Sequence, residues 1–327
     1  MPRILALLAI AALALAAPGR ASDMAGEQAY HIAFDDRLVT DVYVNGRGPY
    51  TFLIDSASSR TVIYEHVRQQ LGMDYSSSDP ITVYGINDAM TARAAEPDVI
   101  HVAGIPVKGV TIGVLPDAVQ HNDPDGILGM DILSRYFVVL DRKAMQLRLL
   151  DRNSAQAQAY RSWTALPLMQ RSLKNLPVDF WFLTVRFNDH PISTLLDLGA
   201  GLTLLNWDAA SRMGVREKSF QKYGPPPAEV RDVLGKIAPA VVLKNVDISM
   251  AGTGWRKEEL LISNAPVFDF LEMSERASAI LGPGLLKDTS LAIDFQGQTL
   301  YLGPSLDAGS ALYLGPSVHQ SGNYGDD

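Results

Sequence analysis

"FLIDSASSRTVI", residues 52–63, is the stretch that decides how this chain folds. Phe52, Leu53 and Ile54 make an apolar run suited to a buried strand, Asp55 ends it, and Ser56, Ala57, Ser58 and Ser59 follow. A carboxylate at the end of a buried strand is costly unless something compensates it. The chain supplies a second such aspartate in "STLLDLGAGLTLLN" (193–206), where Asp197 follows Thr194, Leu195 and Leu196. The two segments align without gaps at an offset of 142 (197 − 55). Pro49 and Pro191 lie six residues before the aspartates, and Thr61 and Thr203 six after. Gly72 and Gly214 lie seventeen after, placed to close short helices over 65–71 and 207–213.

A second block also repeats. "GILGMDILSRYFVVLDRKAMQLRLL" (126–150) carries Ile127-Leu128-Gly129, with Asp141 twelve past the glycine; "AILGPGLLKDTSLAIDFQGQTLYLG" (279–303) carries Ile280-Leu281-Gly282, with Asp294 twelve past. Here the offset is 153 (282 − 129), so the halves differ by an insertion, placed near "YGPPPAEV" (223–230). The chain reads as a tandem duplication.

Each half reads as β. Apolar or alternating runs at 38–44, 50–54, 107–114, 137–140 and 145–150 are separated by turn chemistry such as Asn45-Gly46 and Asp125-Gly126. The second half answers with 179–187, 192–196, 241–248, 260–262, 291–295 and 299–302. This predicts an all-β chain with few short helices and two domains, 28–150 and 165–304. A polar linker, 151–164, joins them, and a polar tail, 305–327, follows. Within the tail, "LYLGPS" at 312 repeats the same six residues at 300 and is assigned no function.

Composition narrows the compartment. Residues 1–21 hold an early Arg3, an apolar run from Ile4 to Ala17 and small residues after it, the pattern of a secretory signal peptide. The run is short for a membrane span, so no stable insertion is expected after cleavage. Export to the periplasm or beyond follows. The chain has no cysteine, so its core must hold it without disulfides. Net charge is −8, or −10 once Arg3 and Arg20 leave (26 − 36), and no basic stripe marks a nucleic-acid partner. The six histidines are scattered singly, without metal-ligand spacing, and no cofactor motif is present.

An apolar strand ending in Asp-Ser/Thr-Gly, a Gly-bearing hairpin some thirty residues on, and a late apolar-apolar-Gly together resemble the retropepsin-like aspartic proteases. More closely, the chain resembles a bacterial exported member with two such domains in one chain. The resemblance implies pepsin-like β-barrel domains related by a pseudo-twofold axis. Catalysis would fall to Asp55 and Asp197, with carboxyl oxygens roughly 3 Å apart. Ser56, Gly199, Gly129 and Gly282 would support that pair, the two late glycines permitting close backbone packing under the aspartate loops. Tyr84 and Gly85 in "ITVYGINDAM" and Gly235 in "VRDVLGKIAP" are the flap candidates. The implied substrate is a peptide or unfolded protein, with no cofactor or metal. A monomer would suffice, because both halves are in one chain.

Two residues depart from the motif. Ala57 stands where glycine is expected, crowding or straining the turn, and Leu198 stands where a hydroxyl is expected. They point to an alternative: a weakened or inactive pseudo-protease acting as a periplasmic peptide-binding or scaffold protein. A third reading, that both aspartates are ordinary turn residues of an unrelated β protein, is opposed by the doubled spacing. Asp141 and Asp294 read as strand-end turn residues with no catalytic part.

Overall fold

The chain threads the same pairing scheme twice. Strand Leu38–Val44 buries alternate residues and turns through Asn45 and Gly46, both at positive φ, into strand Arg47–Ile54. Two left-handed residues in succession make the hairpin turn that matches the twist of the strands it joins. Ile54 then lies against Leu128 of strand Gly126–Leu128, which runs parallel to it. On its other side that strand pairs antiparallel with Val62–Tyr64, and Val62–Tyr64 runs parallel to Ile112–Leu115. In the second half His190–Leu196 runs parallel to Ser278–Leu281. Leu204–Leu205 pairs antiparallel with Ser278–Leu281 and runs parallel to Thr253–Ile262.

This structure, a computed structural model, describes residues 25–33, 36–84, 89–117, 124–173, 176–218, 228–231, 237–286 and 288–305. Among them the chain is all-β as its sequence predicts, with two sheets of fifteen and eight strands and six short helices. In the smaller sheet, Arg186 and Phe187 pair with Ser249 and Ile248, closing six strands into a barrel. In the larger, Phe137–Asp141 pairs antiparallel with Thr289–Asp294, so strands from the two sequence blocks lie side by side. One large apolar cluster runs through both halves, from Phe52 and Leu128 to Leu196 and Leu281.

Two expectations change in detail. The run 107–114 is not one strand but the ends of two, Ile105–Val107 and Ile112–Leu115, because Gly109 turns left-handed between them. The linker is not plain coil: Ala155–Tyr160 is a helix, capped by Ser154, whose Oγ accepts the Ala157 N–H at 3.1 Å. Helix Glu65–Leu71 ends on Gly72 at φ 66°, which satisfies its last carbonyls, and Trp207–Arg212 is followed by left-handed Gly214.

Asp294 is buried and sits in a clasp. Arg152 Nη2 reaches its two oxygens at 3.1 and 3.2 Å, Arg161 Nη2 reaches one at 3.4 Å, and the Gly297 N–H donates to it at 2.7 Å. Asp141 accepts the Ala144 N–H across its turn.

Candidate active site

Each central aspartate is the residue after a strand that has just run beside an Ile-Leu-Gly segment. The Asp55 N–H donates to Leu128 O and the Asp197 N–H to Leu281 O, both at 3.1 Å. The chain then turns under each carboxyl. Asp55 Oδ1 accepts the N–H groups of Ala57 and Ser58 at 2.7 and 2.9 Å. Asp197 Oδ1 accepts those of Gly199 and Ala200 at 2.9 and 3.0 Å. One oxygen of each carboxyl is thereby held by its own loop, and a hydrogen bond links the two carboxyl groups to each other.

Close approach explains the glycines. A Cβ on Gly199 would lie 2.4 Å from Asp55 Cγ, inside any tolerable contact. On Gly129 it would meet the Arg60 carbonyl at 2.5 Å, and on Gly282 the Ala200 oxygen at 2.6 Å. No side chain fits there without moving the aspartate loops. Gly199→Ala should therefore displace Asp55 and cut any activity that depends on the pair by about 100-fold, the scale of loss for a misplacement of about 1 Å. Circular dichroism on the variant should show the fold kept. Wild-type turnover would mean that the two loops do not need this spacing.

Ser56 does the work of two hydroxyls. Its Oγ donates to Leu196 O at 2.9 Å and accepts the Leu198 N–H at 3.0 Å, pinning the other half's loop from a fully buried position. Leu198, which lacks a hydroxyl, is fully buried in the main core cluster instead. Ala57 is not in the left-handed region, so its turn carries no strain of that kind, and its methyl packs against the second half's Phe180 and Phe182 cluster. Leu198→Thr should accordingly cost about 2 kcal/mol or more, by shrinking a packed side chain and burying a hydroxyl. Urea unfolding measures this, and an unchanged midpoint would show the site to be slack.

Electrostatics divides the pair. Burial pushes Asp55 up, against the opposing pull of its two loop N–H groups, the bond from Asp197 and the charge of Arg37. Burial pushes Asp197 well up, and the neighbouring Asp55 charge adds to it. Two carboxyls in contact cannot both ionise cheaply, and the push is the greater on Asp197.

The flap candidates are only partly in view. Tyr84 ends strand Ile81–Tyr84, which forms a hairpin with Ala89–Ala95. Gly85 and Gly235 lie outside the described residues. Sequence reasoning missed Asp131 and Arg37. Asp131 stands two residues after Gly129 and is half-buried against the buried Thr61; its only sequence signal was a charged residue inside an otherwise apolar run.

Residues 40–132 match a family model described as aspartyl protease, a stretch that contains Asp55 and Gly129 but not Asp197. Among solved structures the chain is similar to conglutin gamma, a basic 7S globulin from lupine seeds. Identity is 12% and the TM-score 0.51, over 87% of this chain and 96% of that one. At that identity the likeness is one of fold. No curated protein sequence matches the chain. The all-β architecture is thus pepsin-like, and its first half is aspartyl-protease-like in sequence.

Proposed function

We propose that this chain is an aspartic endopeptidase in which Asp55 and Asp197 act together on one water molecule. The observation that carries the reading is the pair itself: two carboxyls, Asp197 buried and Asp55 half-buried, each following a strand end and hydrogen-bonded to one another. Charged Asp55 takes a proton from the water, whose oxygen attacks the scissile carbonyl carbon, while protonated Asp197 gives its proton to the carbonyl oxygen. The tetrahedral diol then collapses: Asp55 gives the proton it took to the nitrogen, the C–N bond breaks, Asp197 takes a proton back from a diol hydroxyl, and a carboxylic acid and an amine remain.

The substrate is an extended peptide or unfolded protein, bound by main-chain hydrogen bonds in the manner of an added strand. Tyr84, Gly85 and Gly235 are its flap candidates, at or beside the ends of the strand pairs Ile81–Tyr84 with Ala89–Ala95 and Ala228–Arg231 with Ile237–Met250. Domain 28–150 supplies Asp55, domain 165–304 supplies Asp197, and one chain is enough. Residues 1–21 direct export and are removed. Cleavage of an unfolded protein by the purified chain, and its loss when either aspartate becomes asparagine, tests the reading. Cleavage that persists in either variant sinks it.

A further inference from the structure

The two aspartate loops are fastened differently. In the first half, Asp131 lies in the first turn of helix Met130–Leu133, and its Oδ1 accepts both the N–H of Thr61, at 2.9 Å, and its Oγ1–H, at 2.7 Å. Thr61 Oγ1 in turn accepts the Gly129 N–H at 3.1 Å. Leu128, just before that glycine, accepts the Asp55 N–H, and the Met130 N–H, just after it, donates to Ser58 O at 2.8 Å. The loop from 55 to 61 is therefore stitched along its whole length to residues 128–131.

The second half keeps the inner stitch, with the Gly282 N–H donating to Thr203 Oγ1 at 3.3 Å. The position matching Asp131 is 284 (131 + 153), a glycine. A Cβ there would meet Gly201 O at 2.8 Å and an Asp36 oxygen at 3.3 Å, so this half packs backbone on backbone where the first uses a carboxylate.

We infer that Asp131 is a positioning residue for Asp55, holding the first aspartate loop in its reactive geometry through Thr61 and Gly129. The inference rests on the peptidase reading and deepens it. Its Oδ2 is buried and has no hydrogen-bond partner among the described residues, and burial pushes the Asp131 carboxyl up. An acid held this way costs stability. A core selected for stability alone has no use for it; a loop that must aim a carboxyl does.

The test is steady-state kinetics on a peptide substrate, with the full chain. Asp131→Ala should lower kcat about tenfold or more with KM unchanged, because the geometry of reaction suffers rather than substrate binding. Asp131→Asn, whose Oδ1 still accepts from Thr61, should restore most of the loss. Thr61→Val should lose kcat as Asp131→Ala does, and Thr61→Ser should recover it. Where Asp131→Ala does not fold, the Thr61 pair carries the test.

Folded Asp131→Ala or Thr61→Val with wild-type kcat overturns the inference. So does an asparagine variant as impaired as the alanine. If those results come with cleavage that still requires Asp55, only the positioning role falls. A chain that cleaves nothing, or that cleaves without Asp55, takes the peptidase reading down with it.

Discussion

Replacing Asp55 or Asp197 by asparagine should each lower kcat by roughly 10²–10⁴-fold, the span supplied by a positioned acid or base. Neither carboxyl can do both jobs, since the water's proton needs a charged acceptor and the substrate oxygen a neutral donor. Activity in the natural chain should follow a bell-shaped curve on the acid side. It rises as the pair loses its first proton and falls as it loses the second. Stability should fall as pH rises across the same range. The Asp197 carboxyl is pushed well up in the folded chain, so between the ordinary carboxyl pKa and that raised value the folded state holds a proton that the unfolded state has released. That linkage favours folding below the ordinary carboxyl pKa, and the benefit is lost as pH rises through the raised folded value. Asp197→Asn removes the ionisation and should raise the urea midpoint at neutral pH while lowering turnover by that factor. A variant that is inactive and also less stable at neutral pH would mean the pair is not a strained, proton-sharing one.

Removing both arginines around Asp294 should cost about 3–5 kcal/mol, the usual penalty for stranding a buried charge. Arg152 and Arg161 come from the segment joining the halves, and Asp294 stands opposite Phe137 in the sheet where strands of both halves pair. Arg152→Met with Arg161→Met leaves the aspartate, among the described residues, with the Gly297 N–H as its one hydrogen-bond donor. Adding Asp294→Asn to that double variant should recover most of the loss, because the desolvated charge and not the missing contact carries the cost. Asp294→Asn alone should be milder, since each arginine side chain is about one-third exposed, at 36% and 33%, and can rehydrate. Chemical unfolding of the three variants decides it. A double variant within about 1 kcal/mol of wild type would show the clasp to be ornamental, as exposed ion pairs often are.

Much of this molecule is written locally along the chain. Alternation along 38–44, the Asn45-Gly46 turn and the apolar runs before Asp55 and Asp197 set strands, turn and strand ends, because side-chain period and backbone freedom act over a few residues. Gly129 and Gly282 were legible as close-approach positions from their recurrence alone, because a backbone contact that excludes Cβ leaves one residue choice. What Ala57 and Leu198 do was not legible. The motif made them losses, whereas the fold packs Ala57 on a core cluster of the second half and lets one hydroxyl, Ser56, bond two backbone groups 140 and 142 residues away. The helix over 155–160, the clasp on Asp294 and the half-buried Asp131 belong to the same class, and so does the charge of Arg37 near Asp55. A charge's protonation and a hydroxyl's partners depend on what the sheets bring beside them, and sequence spacing carries no measure of that distance. The aspartates themselves are a product of sequence; the upward push on their carboxyls is a product of tertiary structure, because only burial in contact makes two like charges costly.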